Sequence, residues 1–93
     1  MERAIITVEG RVQGVGFRWW AMSQARELNL VGYADNLPDG RVKICAQGEV
    51  EAIYAMRRRA IEQPSRTGRP GWVTGSSFEW LPADPNLNRF SYY

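Results

Sequence analysis

Two short stretches of the chain hold residue types that could do chemistry. The first is Gly10-Arg11-Val12-Gln13-Gly14-Val15-Gly16-Phe17-Arg18. It follows an apolar, strand-like run and leads into a helical pattern. Glycines there allow a tight bend and a close approach of backbone to a ligand. The first turn of the following helix offers unpaired N–H groups at the positive end of the helix dipole. Together these make a cradle for an anion. Arg18 stands at its end, with a planar fork of donors suited to two oxygens of one phosphate. Two better-known phosphate loops do not fit. A P-loop needs Gly-Lys followed by Ser or Thr, whereas Gly16 is followed by Phe17 and Arg18. A dinucleotide fingerprint needs a third glycine, and Trp19 stands in its place. Taken alone, the stretch could equally be a plain strand-to-helix turn with Arg18 as a surface charge.

The second stretch is Gly32-Tyr33-Ala34-Asp35-Asn36-Leu37-Pro38-Asp39-Gly40-Arg41-Val42. With the first block it resembles the paired signatures of the acylphosphatase family, in the same order and spacing. The likeness covers about the first half of the chain. It implies a ferredoxin-like fold and hydrolysis of acyl phosphates without metal, cofactor or covalent phosphoenzyme. It also implies that the backbone N–H groups of Gln13, Gly14, Val15, Gly16, Phe17 and Arg18 surround the substrate phosphate and that the Arg18 guanidinium completes the shell. Asn36 would hold the attacking water in line with phosphorus. An amide both donates and accepts, so it can orient a water without acting as a base. The competing role for Asn36 is to cap a hairpin turn. Asp35 and Asp39 are the nearby carboxylates, but a carboxylate would repel a phosphate dianion, and the Asp39-Gly40 pair is ordinary turn chemistry. The chain departs from the family's pattern at Ile61 to Gly71, which is longer than the family's usual turn, and at the tail Phe90-Ser91-Tyr92-Tyr93.

The elements that must position these residues follow from periodicity. Arg3 to Glu9 alternates, with Ala4, Ile6 and Val8 on one face, and reads as a half-buried strand. From Gly16 to Asn29 the period becomes helical, with Phe17, Trp20, Ala21, Gln24 and Leu28 on one face and Asn29 as the stop. Trp19 lies off that face, as a rim aromatic or a wall beside the anion site. Val31 to Asn36 reads as a second strand. Leu37-Pro38-Asp39-Gly40 reads as a turn. Val42, Ile44 and Ala46 then define a buried face, with Arg41, Lys43, Cys45 and Gln47 on a wet one. Glu49 to Glu62 is a second helix, with Val50, Ile53, Tyr54, Ala60 and Ile61 on an apolar arc. The Arg57-Arg58-Arg59 run reads as its solvated side. Gln63 to Gly71 is a loop, Trp72 to Leu81 a strand, Pro82 to Asn88 a loop, and Arg89 to Tyr93 a short closing strand. The order is β-α-β-β-α-β with one strand more. This is an α+β, ferredoxin-like split βαβ arrangement, with both helices on one face of an antiparallel or mixed sheet.

Composition narrows the partners. Ninety-three residues, 44% hydrophobic, are read as a single domain spanning 1–93. Twelve basic and ten acidic residues give a net charge of +2, too small for a nucleic-acid coat. No apolar run approaches the roughly 18 residues of a membrane span. No secretory leader is evident at Met1-Glu2-Arg3. The chain has no histidine and one cysteine, Cys45, which removes His-dependent catalysis, disulfides and His- or Cys-rich metal sites. The resemblance implies an acyl phosphate as substrate and inorganic phosphate as product and inhibitor, and a cytoplasmic monomer is expected. Nucleic acid and membrane are not expected. The alternatives are a non-catalytic phosphate- or acyl-phosphate-binding module, a carbamoyl-phosphate-handling domain, and an RNA-binding ferredoxin-like module. The RNA reading lacks aromatics on the Ile5–Glu9 and Val42–Gln47 strands.

Overall fold

The first residues form β1, Glu2–Arg11, whose Ala4, Ile6 and Val8 are buried, and Ile5 and Thr7 on the opposite face are buried as well, so burial does not alternate as a half-buried strand would have it. The computed structural model describes residues 1–93. After β1 come α1 (Phe17–Glu27), β2 (Val31–Asn36), β3 (Val42–Gly48), α2 (Val50–Ile61), β4 (Trp72–Leu81) and β5 (Phe90–Tyr92). The sheet order is β4-β1-β3-β2-β5. Four strands pair antiparallel, and β5 adds parallel to β2, so the sheet is mixed. The two helices bury one side of the sheet, as the periodicity predicts.

The core lies between that side and the helices. Ala4, Ile6, Val8, Val42, Ile44 and Ala46 meet Phe17, Trp20, Ala21 and Ala25 of α1 and Ile53, Met56 and Ala60 of α2. Each fully buried Val, Ile, Met or Phe side chain of this set contributes about 1.5–3 kcal/mol. Helix α1 stops where expected. Asn29 takes the left-handed conformation at φ 57°, which Asn tolerates better than most residues.

Two further expectations need correction. Tyr54 does not belong to the buried arc of α2; it is 48% exposed, and Met56 is fully buried instead. Ile53, Met56 and Ala60 follow the three-and-four spacing of a single helical face, and Tyr54 sits about 100° away from Ile53. Its ring packs at the sheet edge, 6.2 Å from Phe78 and 5.7 Å from Trp80. The second correction concerns the wet face of β3. Cys45 and Gln47 on that face are buried. The segment after β4 folds over them. Gln47 donates from Nε2 to the Asp84 carbonyl at 2.9 Å and accepts from the Asp84 N–H at 2.7 Å. Arg3 reaches the Pro82 carbonyl at 2.7 Å. Burial pushes the Cys45 thiol up from its usual pKa, with Arg3 opposing. A buried, protonated thiol is inert, which agrees with a purely structural Cys45.

The long Gln63–Gly71 connection is held by a buried arginine. Arg69 donates to the carbonyls of Arg59 and Glu62 at 3.1 and 2.8 Å and to Gln63 Oε1 at 2.6 Å. It thereby caps the C-terminus of α2, whose last carbonyls would otherwise lack partners. Burial lowers its pKa and Glu62 opposes the shift. The same segment is fastened to α1, since Trp20 Nε1 donates to the Thr67 carbonyl at 3.1 Å. Arg69→Ala is expected to destabilise the fold by about 3 kcal/mol, from lost charge-assisted hydrogen bonds and carbonyls left buried. A urea titration checks this; an unchanged midpoint would refute the capping role.

Candidate active site

The first site element is the Val12–Gly16 bend between β1 and α1. Gly14 and Gly16 have φ of 73° and 88°, a region costly for residues with a Cβ. Left-handed residues spaced in this way suit an anion nest, in which neighbouring N–H groups face one concavity. The N–H groups are free. Among the backbone hydrogen bonds outside helices and strands, none is donated by Gln13, Gly14, Val15 or Gly16. Helix α1 adds to this supply. Gly16 is its N-cap and offers no side chain, and no acidic residue stands in the first turn. The loop and helix start therefore present donors and positive potential with nothing of the protein's own to neutralise them.

Of the cradle residues, only some contribute side chains. Phe17 is 1% exposed and its ring lies 5.2 Å from that of Trp20, so it can offer the site only its N–H. Val15 packs partly against the core. Trp19 is 58% exposed, as expected of a residue off the buried face. Arg18 is half-buried, with its guanidinium carbon 5.9 Å from the centre of the Tyr92 ring. It takes part in neither of the chain's two salt bridges. Strand β5 brings Tyr92 there. It pairs with β2 and is tied to α1 by Arg26, which donates to the Phe90 carbonyl at 3.1 Å.

The second element is the turn between β2 and β3. In register, Val42 of β3 pairs with Val8 of β1 on one side and Asn36 of β2 on the other. The end of β2 and the end of β1 therefore lie at the same end of the sheet, and Asn36 arrives beside the cradle. The turn is closed without the Asn36 side chain. Leu37 N–H donates to the Arg41 carbonyl at 2.8 Å and Gly40 N–H to the Leu37 carbonyl at 3.1 Å. Asp39 completes it, accepting from the Arg41 N–H at 3.1 Å and from Arg41 Nε at 2.8 Å. These bonds, the Arg41 N–H foremost, hold the Asp39 carboxyl below its usual pKa. Both its oxygens are engaged, so it is a poor proton acceptor for catalysis. Asn36 Oδ1, by contrast, is buried and has no hydrogen-bond partner. Buried acceptors are rarely left so.

The structure thus brings Gln13 to Arg18 and Asn36 to one end of the sheet. Sequence reasoning missed two contacts there. One is the Tyr92 ring beneath Arg18. The other is the Gln13 side chain, which donates to the carbonyls of Leu37 and Arg41. No local signal marks either, because both partners are distant along the chain.

Comparison with known proteins bears on the family and the fold. The acylphosphatase family model matches residues 4–92. A Mycobacterium protein (strain JLS) named acylphosphatase is 66% identical over 83 residues, which cover 89% of this chain and 84% of that one. A Corynebacterium glutamicum protein of the same name is 50% identical over 82 residues, 86% of this chain and 87% of its own. The crystal structure of acylphosphatase from Bacillus subtilis superposes with a TM-score of 0.85 at 34% identity, covering 100% of this chain and 99% of that one. With a family model matched over nearly its whole length and relatives of that name at 50–66% identity, the chain belongs to the acylphosphatase family.

Proposed function

We infer that this chain hydrolyses acyl phosphates, cleaving a carboxyl–phosphate anhydride to a carboxylate and inorganic phosphate. The observation that carries the reading is the juxtaposition of a cradle of free N–H groups with a buried, unpartnered Asn36 Oδ1 at the same end of the sheet. A binding module needs the cradle alone. A hydrolase also needs an atom to hold water, and a lone buried acceptor is suited to receive one hydrogen of it.

In this mechanism the N–H groups of Gln13 to Arg18 and the Arg18 guanidinium bind the three terminal phosphate oxygens. Their charge is spread in the transition state, and donors fixed in advance stabilise it. Asn36 orients a water in line with the phosphorus. The water oxygen bonds to phosphorus as the bond from phosphorus to the acyl oxygen breaks. The electron pair leaves with the carboxylate, and the protons of the water end on the phosphate. A carboxylate is a stable leaving group and needs no protonation, so the site can work without a general acid. The rest of the reading is that the chain acts as a single-domain monomer in the cytoplasm and that inorganic phosphate competes for the cradle.

Assay with benzoyl phosphate tests the function directly; a folded protein that binds phosphate and hydrolyses nothing would establish the binding module instead. Turnover is also expected to be unchanged by EDTA. The chain has no histidine, and no three Cys, Asp or Glu side chains converge to hold an ion. Loss on chelation with recovery on adding Mg²⁺ would overturn that expectation.

A further inference from the structure

Gln13 contributes more than its backbone N–H. Its Nε2 donates to the Leu37 carbonyl at 2.8 Å and to the Arg41 carbonyl at 3.0 Å. Two carbonyl oxygens can be bridged only by an atom with two hydrogens, so the amide orientation is fixed by its partners. Both carbonyls also close the turn that follows Asn36, accepting from Gly40 N–H and Leu37 N–H. The Gln13 amide therefore joins the phosphate cradle to the bonds that shape the end of β2. The residue before Leu37 is Asn36, whose Oδ1 is buried without a partner.

We propose that Gln13 is a positioning residue that sets the distance between the phosphate cradle and the water held by Asn36. The inference rests on the reading of Asn36 as the water holder. The cradle and Asn36 come from different elements, and the phosphorus and the water must meet in line. In-line attack tolerates little error, since displacement of about 1 Å can cost ~10²-fold. The sheet places the two elements at one end, but the register is carried through β3, which lies between them. Gln13 spans that gap directly, from the loop to the turn. The tie is specific to an amide. A glutamate of the same shape would set a carboxylate against two carbonyl oxygens, and a methionine would fill the space with no donor.

The test uses Gln13→Met and Gln13→Glu, alone and combined with Asn36→Ala, with benzoyl phosphate as substrate and inorganic phosphate as inhibitor. The tie predicts a kcat loss of roughly 10- to 100-fold in folded Gln13→Met. Phosphate inhibition should stay within about threefold of wild type, because the backbone N–H groups and Arg18 remain. In the Asn36→Ala background, Gln13→Met should cost little more, since there is no longer a water to place. Gln13→Glu should be no better than Gln13→Met. A merely structural role would instead lower the melting temperature and leave kcat per folded molecule and its coupling to Asn36 untouched.

Wild-type kcat in folded Gln13→Met, or full additivity with Asn36→Ala, overturns the proposal. Should the variants not fold, NMR on the wild-type protein decides. Through-bond couplings from the Gln13 amide nitrogen to the Leu37 and Arg41 carbonyls support the tie, and free-solvent exchange of both amide protons overturns it. The underlying reading fails separately: Asn36→Ala with wild-type turnover removes the water holder itself. An inactive Asn36→Ala beside a fully active Gln13→Met removes only the tie.

Discussion

Arg18→Ala is expected to lower kcat/KM by ~10²-fold or more and to weaken inhibition by inorganic phosphate in parallel. The argument starts from what Arg18 lacks. It is half-buried at the start of α1, yet no carboxylate is paired with it. Two other half-buried guanidinium groups are paired: Arg59 donates to Glu27 and to Gln24, and Arg41 to Asp39. Arg18 instead lies over the Tyr92 ring, which steadies a cation without using its N–H donors. A guanidinium held in place with its donors free is prepared for an anion. Because phosphate and transition state share the terminal oxygens, loss of Arg18 should affect both binding and turnover. Arg18→Lys should not restore activity, since an ammonium cannot address two oxygens in a fixed plane. Steady-state kinetics with phosphate as inhibitor checks this. Near-wild-type activity in the lysine variant would sink the two-pronged argument.

That Arg18 stands in the first turn of the helix entered from the glycine loop was legible in the sequence, because a loop and the helix it enters are local objects. The elements were legible for the same reason. The extents Val31–Asn36 and Trp72–Leu81 read from alternation are the observed strands, and Asn29 was recognisable as a helix stop from its own backbone preference. What was illegible depends on groups that meet only after folding. Tyr92 reaches Arg18 because β5 adds parallel to β2; nothing in Phe90-Ser91-Tyr92-Tyr93 reveals that neighbour. The Gln13 amide finds its two carbonyls only because β1 and β2 end at the same side of the sheet. Alternation marked Cys45 and Gln47 as facing away from the helices, correctly, but it could not show that Pro82 to Asn88 would cover them. In α2 the error was one of weighting. Tyr54 is apolar enough to suggest burial, while the helical spacing favours Met56.

Asn36→Ala is expected to abolish most turnover, by about 10²-fold or more, while phosphate binding survives. The two roles open to Asn36 make opposite predictions. A turn cap lost to alanine costs ~1 kcal/mol of stability and leaves the chemistry of the folded protein alone. Here the turn is already closed by Leu37, Gly40, Asp39 and Arg41, so little stability should be lost. The Asn36 oxygen has no such employment. If it receives a hydrogen of the attacking water, alanine leaves the phosphate bound and the nucleophile unplaced. The cradle N–H groups and Arg18 do not depend on Asn36, so calorimetric titration with inorganic phosphate should give nearly the wild-type affinity. An acyl phosphate assay on the same preparation should show kcat lost. Weakened phosphate binding in step with lost turnover would mean that Asn36 shapes the cradle. A folded variant turning over at the wild-type rate would place the water elsewhere.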